Sequence, residues 1–223
     1  MTTPRIVILG PQGAGKGTQA GFLSRRFRIP HISAGDLLRA EARRGSPLGQ
    51  RIARIIDRGR LVPDELMSSV VRARLRRRDA KRGWIVDGYP RFRQQAKTFN
   101  RFARPNVVVV LTLSDQQAVR RLVGRRVCPN GHVYHIRHHP PKQKRGYCDH
   151  DGLPLHQRDD DTPVAIRRRL RWHHQQTDPL IDEYRRQNLV LEVNAHPPIK
   201  AVYRHLLEVL KNIPWLSSRL KKK

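Results

Sequence analysis

Arg5-Ile-Val-Ile-Leu9, followed directly by Gly10-Pro-Gln-Gly13-Ala-Gly15-Lys16-Gly17-Thr18, decides the fold. The first five residues are a short, β-branched, apolar run that stops at Gly10, the pattern of a strand buried on both faces of a parallel sheet. The second stretch is a glycine-rich turn with a helical segment after it. That context separates a phosphate-binding loop from a chance match. Its glycines let backbone N–H groups curl around a phosphate without Cβ clashes, the helix N-terminus adds its positive end, and Lys16 supplies a mobile cation. Gly13, Ala14, Gly15, Lys16, Gly17 and Thr18 are the candidate nucleotide-phosphate ligands.

Working outward, buried-strand signals recur at Trp84-Ile85-Val86, at Val107 to Leu113 and at Leu189 to Val193, with segments between them long enough for crossover helices. Leu66 to Arg78 places Leu66, Val70 and Ala73 on one helical face, and Ile199, Val202, Leu206, Val209 and Ile213 form a second stripe. Alternating β and α elements predict an α/β fold with a doubly wound parallel sheet flanked by helices. One stretch breaks the pattern. Val127 to Asp161 has no apolar period but is rich in His, Pro, Gly and Asp, and loops of that length inside a compact body are usually lids or disordered. It holds both cysteines, Cys128 and Cys148, 20 residues apart, a pair for which metal binding is favoured over a disulfide in a reducing compartment. Pro214 to Lys223 ends in three lysines and reads as a frayed basic tail.

The N-terminal apolar run is too short for a signal sequence or a membrane span, so the expected location is cytoplasmic, away from membranes. Charge is the anomaly: 46 Lys and Arg against 18 Asp and Glu give +28 over 223 residues. Clamping the phosphates of two nucleotides uses about 6 to 8 cationic side chains, so most of the excess lies outside that chemistry. It is either solvated surface or an attraction for nucleic acid and other polyanions.

Asp87 closes a buried strand at the carboxyl edge of the predicted sheet, where α/β proteins place ligands. A carboxylate there can hold Mg²⁺ through its waters or cap a helix. Arg91, four residues on, is within reach of a transferring group. Phosphoryl transfer needs positioning and charge neutralisation more than covalent chemistry, which suits an arginine-lined site that closes.

Together these motifs resemble the adenylate kinases over about residues 5 to 212. Gly17, intervening between Lys16 and Thr18, matches the nucleoside monophosphate kinase form of the loop. His31-Ile-Ser-Ala-Gly35-Asp36-Leu-Leu-Arg39 resembles the start of the acceptor-binding arm, Gly59-Arg60-Leu61-Val62-Pro63-Asp64 the wall behind the acceptor base, and Asp87-Gly88-Tyr89-Pro90-Arg91 the family's Asp-Gly-Phe-Pro-Arg. The resemblance implies a five-stranded P-loop core at 1–32, 63–125 and 163–213, an arm at 33–62 and a lid at 126–162. It implies ATP and a monophosphate as substrates, transfer of the terminal phosphoryl group to give two ADP, Mg²⁺ with the ATP, and a monomer. Lys16, Arg91, Arg125, Arg158 and Arg169 would hold transferring phosphates and Asp87 would support Mg²⁺. Arg121 would lie near the donor base, and Ala34, Arg39, Arg60, Val62, Gly88 and Gln95 would line the acceptor side.

Two alternatives stay open. Ala34 stands where adenylate kinases usually carry threonine and resembles the UMP/CMP kinases, whereas Gln95 matches the glutamine that pairs with an adenine edge; the weight falls on AMP. The long lid resembles those with a structural zinc, implying Cys128, His132, Cys148 and Asp151 as ligands, with His150 as a substitute for Asp151, or a metal-free lid. A reading from another class is an RNA-associated basic protein with secondary kinase activity.

Overall fold

The centre of the molecule is a sheet of five parallel strands in the order β2-β3-β1-β4-β7. These are β1 (Arg5–Leu9), β2 (His31–Ser33), β3 (Trp84–Asp87), β4 (Val107–Thr112) and β7 (Val190–Asn194). The structure is a computed structural model and describes residues 2–57 and 62–221. β1 is the middle strand, with Ile6 paired to Ile85 on one side and Val107 on the other. Its alternation divides the core in two. Ile6 and Ile8 point into a layer closed by α1 (Lys16–Phe27), α7 (Pro163–Trp172) and α9 (Ile199–Lys211). Val7 and Leu9 point into the other layer, closed by α2 (Ala34–Ala42), α4 (Asp64–Leu75), α5 (Arg93–Ala103) and α8 (Asp178–Arg186). All four β1 side chains are essentially inaccessible, and burying each stabilises the fold by about 1.5–3 kcal/mol.

The remaining elements are α3 (Pro47–Asp57), α6 (Asp115–Val123), the antiparallel pair β5 (Arg125–Val127) and β6 (Val133–His135), and α10 (Pro214–Lys221). A 3₁₀ turn covers Arg78–Arg82, and a π-helical turn at His173–Thr177 joins α7 to α8. α4 therefore stops at Leu75, short of the Arg78 expected, because Arg77 is already extended (ψ 152°) at the start of the 3₁₀ turn. β2 gave no strand signal: it has three residues, begins with a histidine and pairs on one side only, to β3. The tail expected to fray is helical from Pro214, and Leu216 is fully buried in the same layer as Leu206 and Leu210. Proline suits the first turn of such a helix because its missing N–H has no intrahelical partner. No described helix is long and apolar enough to cross a membrane.

Candidate active site

The glycine-rich loop leaves β1 at the carboxyl edge of the sheet and delivers its chain into α1. Gly10 has φ 132°, and a Cβ there would meet the Leu111 carbonyl oxygen at 2.3 Å, so the loop lies tight against β4. Gly15, at φ 84°, occupies the N-cap of α1, leaving the helix's first N–H groups without a side-chain cap and free for an anion. The Lys16 Nζ donates to the carbonyl oxygens of Gly10 and Pro11, both at 2.8 Å.

Burial, opposed by Asp87 and reinforced by Arg91, Arg125 and Arg169, lowers the Lys16 pKa from 10.5 to about 8. That displacement corresponds to about 3 kcal/mol held against the charged form, which phosphate oxygens would offset. A consequence follows for pH. Lys16 is charged below pH 8 in the free protein and neutral above it. kcat/KM for ATP is accordingly expected to fall about tenfold between pH 7 and pH 9, read from initial rates in matched buffers; a flat profile would contradict this assignment.

Asp87 ends β3 facing the loop, its Oδ2 3.8 Å from the His31 Nε2. Among the described residues no donor lies within hydrogen-bond distance of its carboxylate, so its lone pairs are available to metal-bound water. The His31 Nε2 is itself buried and unpartnered. Arg91 is anchored nearby: its Nε donates to the Gly88 carbonyl at 2.8 Å, and its own carbonyl accepts from the Thr177 hydroxyl at 2.8 Å. Tyr89 is fully buried, and its hydroxyl lies 2.8 Å from the Ser68 hydroxyl, which gives the phenol that replaces the family's phenylalanine a polar partner.

The other arginines converge on this point from the far side. Arg125 grips Asp161 with two bonds, 2.8 and 2.6 Å, and Asp161 is completely buried. Arg169 reaches Asp161 at 3.4 Å and also contacts Asp160. Burial, together with Arg125, Arg91 and Arg158, lowers the Arg169 pKa to about 10. Arg158 is lowered by burial and then by Arg125 and Arg39. These cations depress one another, so the cluster is short of negative charge. Arg39 pairs with Asp36 in α2. Arg121 ties the loop to the end of β7, donating to Gly13, Ala195 and His196 carbonyls at 3.3, 2.8 and 3.0 Å.

Of the residues expected to line the acceptor side, Ala34 is buried at the start of α2, 3.9 Å from where a Gly88 Cβ would stand. Val62 is half-buried against the second core layer. Gln95 is buried, its Oε1 accepting from the Arg91 N–H at 2.8 Å and its Nε2 donating to Asp64 at 2.7 Å. Arg60 lies outside the described residues.

Three contributors escaped the sequence reading. Asp161 and Asp64 enter it only as the ends of quoted stretches, with no role of their own, and His173 not at all. His173 is buried beside Lys16, and burial, opposed by Asp178, lowers its pKa to about 4, so it is neutral at physiological pH.

The 126–162 excursion is built on β5 and β6. Two tight turns, closed by Gly131 N–H to Cys128 and Gly152 N–H to Cys148 (both 2.9 Å), present Cys128, His132, Cys148 and Asp151 to one point. Their ligand atoms all lie within 4.8 Å of one another. The Cys128–His132, Cys148–His132 and His132–Asp151 edges are 3.2, 3.3 and 3.1 Å. A tetrahedron with bonds of about 2.0–2.3 Å has edges of about 3.3–3.8 Å. The backbone N–H groups of His132 and His150 point at the two sulfurs at 3.3 and 3.4 Å, as outer-shell donors to thiolates do. His150 is exposed, stacked 4.5 Å from the His132 ring and outside this group of ligand atoms. Donor set and shape fit Zn²⁺.

The sequence model for the adenylate kinases matches residues 8–189. The chain belongs to the adenylate kinase family. It is 42% identical over 214 residues to an adenylate kinase of Streptomyces avermitilis, covering 93% of this chain and 97% of that protein. It is 40% identical to adenylate kinases of Acholeplasma laidlawii (93% and 98% covered) and Methanothrix thermoacetophila (92% and 97% covered). As an adenylate kinase family member it is a phosphotransferase on the P-loop fold, and the anion-seeking cluster around Lys16 is what such chemistry requires.

Proposed function

We propose that the protein transfers the terminal phosphoryl group of ATP to AMP, giving two ADP, and so serves nucleotide homeostasis in the cytoplasm. One observation carries the reading: Lys16, Arg91, Arg125, Arg158 and Arg169 are electrostatically coupled around the P-loop, with Asp87 as the nearby carboxylate. Five cations can follow charge as it spreads over the transferring group, in a pocket where water is excluded once the lid at 126–162 closes over the core and the arm at 33–62. Gly13 to Thr18 would bind the ATP phosphates, with Arg121 beside the donor base. Arg39 and Arg60 would seat the acceptor phosphate. Asp87, facing the loop with no hydrogen-bond donor to its carboxylate among the described residues, would hold Mg²⁺, which when bound neutralises phosphate charge. Cys128, His132, Cys148 and Asp151 would hold a structural Zn²⁺ with no open coordination position.

Preference for AMP rests on Gln95. An amide has two donor hydrogens and two acceptor lone pairs. Asp64 takes one hydrogen and the Arg91 N–H one lone pair, which orients the amide and leaves one donor and one acceptor, the pattern of an adenine edge. Ala34 supports a second reading, a UMP/CMP kinase, because it offers only a methyl group where a hydroxyl would contact adenine.

A coupled assay with Mg·ATP and AMP, UMP, CMP or GMP decides between them. AMP is expected to give at least tenfold higher kcat/KM than any other acceptor. Faster turnover of UMP or CMP would transfer the specificity to Ala34, and no turnover with any acceptor would remove the kinase reading.

A further inference from the structure

Catalysis leaves the densest charge run in the chain unused. Residues 72–82 hold seven cations, Arg72, Arg74, Arg76, Arg77, Arg78, Lys81 and Arg82, against one acid, Asp79. Arg74 is taken by Asp79 through two bonds of 2.9 and 2.6 Å. Arg72 and Arg76 have no carboxylate within 4 Å among the described residues. Arg72, in the last turn of α4, and Arg76, its C-cap, line a groove of about 530 Å³ whose other wall is α5, with Thr98, Arg101 and Phe102; its one acid, Glu65, lies two helical turns before Arg72. Arg101 is likewise without a carboxylate partner.

Two features describe the occupant. Three guanidinium groups without a carboxylate partner among the described residues, on both walls and against the single acid Glu65, suit an anion with several charges in a row. The Phe102 ring, edge-on to Phe99 at 5.5 Å, carries the Arg72 guanidinium 5.6 Å from its centroid, so an aromatic face and a planar cation are stacked in the groove. Planar stacking suits bases, because in a nucleic acid each phosphate is accompanied by a π-face, whereas carboxylate side chains and lipid headgroups have none of their own.

The groove also stands apart from the kinase chemistry. α4 and α5 both start near the Asp64–Gln95 bond and run away from it, so Arg72, Arg76 and Arg101 lie toward the opposite edge of the sheet from Lys16.

We propose that the α4–α5 groove is a binding site for single-stranded nucleic acid, with Arg72, Arg76 and Arg101 on phosphates and the Arg72–Phe102 stack beneath a base. The site is independent of the phosphotransfer reading. Its test is fluorescence anisotropy of a fluorescein-labelled 12-nucleotide oligouridylate with the full chain, titrated at several KCl concentrations. The R72E/R76E/R101E triple is compared with R186E/K200E/R204E, which makes the same charge change at exposed residues of α8 and α9 that have no ion-pair partner among the described residues.

The groove triple is expected to lose at least tenfold in affinity and to make the log–log salt slope shallower by about 2, three contacts at about 0.7 each. The control triple should change affinity less than threefold, and both should keep the parent's phosphotransfer rate. R72Q/R76Q/R101Q, which removes charge without reversing it, should show the same order of loss if the glutamate triple fails to fold. Equal loss in the two glutamate triples, absence of salt-dependent binding by the parent, or displacement by inorganic polyphosphate as effective as by unlabelled RNA would each overturn the assignment.

Discussion

Lys16→Met is expected to lower turnover about 10³-fold or more while the protein still melts cooperatively. The size follows from the role proposed for Lys16: removing one preorganised charge from a phosphoryl-transfer site costs on the order of 10²–10⁵ in rate. The intact fold follows from the electrostatics. Lys16 is held against burial and against Arg91, Arg125 and Arg169, with its pKa down at about 8, so its charge is a liability to the empty protein. A methionine of similar length removes that strain and loses only the bonds to Gly10 and Pro11. Steady-state rates together with circular dichroism melting test both halves. Turnover near the parent's would sink the phosphate-loop reading, and loss of the melting transition would make Lys16 a structural residue.

The second large effect is on the 126–162 excursion. Cys148→Ser is expected to abolish bound zinc, measured as metal per chain in protein purified without chelator, and to expose residues 126–162 to protease while the five-stranded body stays resistant. Between β5 and α7 the chain's apolar cluster consists of Cys128, Tyr134, Cys148 and the half-buried Leu155, two of them metal-ligand candidates. So small a core cannot offset the ordering of more than thirty residues, whereas structural zinc contributes about 10–16 kcal/mol in comparable small folds. Asp151→Asn should lower occupancy and His150→Ala should not, which separates the two candidates for the fourth ligand. Full zinc retention in Cys148→Ser, or parent protein isolated without metal, would refute the site.

The parts of this protein that were legible in its sequence are those where a local pattern and a tertiary demand coincide. Arg5–Thr18 announces strand, turn and helix together because phosphate binding needs all three. β3 and β4 are continuous apolar runs because both their faces are covered. β2 was illegible for the opposite reason: His31-Ile-Ser33 is too short to show a period, and its identity as a strand comes from its partner Val86. Asp161 was hidden among Asp159, Asp160 and Asp161, which look equivalent until folding buries the third against Arg125. Leu216 sits in a stretch whose lysines dominate composition, and only the packed layer beneath it reveals that the chain there is anchored. The α4–α5 groove is half legible: the cation run at 72–82 stands out in the sequence, but the second wall lies about thirty residues further on, and which arginines lack partners depends on the fold.

Asp161 has a bearing on how this chain can vary. It binds Arg125 across a separation of 36 residues, fastening the point where the excursion leaves the core to the point where it returns. With both ends held, the free energy of closing the intervening chain depends weakly on its length, about 0.6 kcal/mol for each doubling. Arg125 is half of that fastening and Arg169 lies beyond it, so of the arginines proposed to hold phosphates only Arg158 travels within it. The excursion is thus a cassette: a shorter or differently stapled segment could be exchanged between Arg125 and Asp161 at small thermodynamic cost, provided it returned one arginine to the place of Arg158.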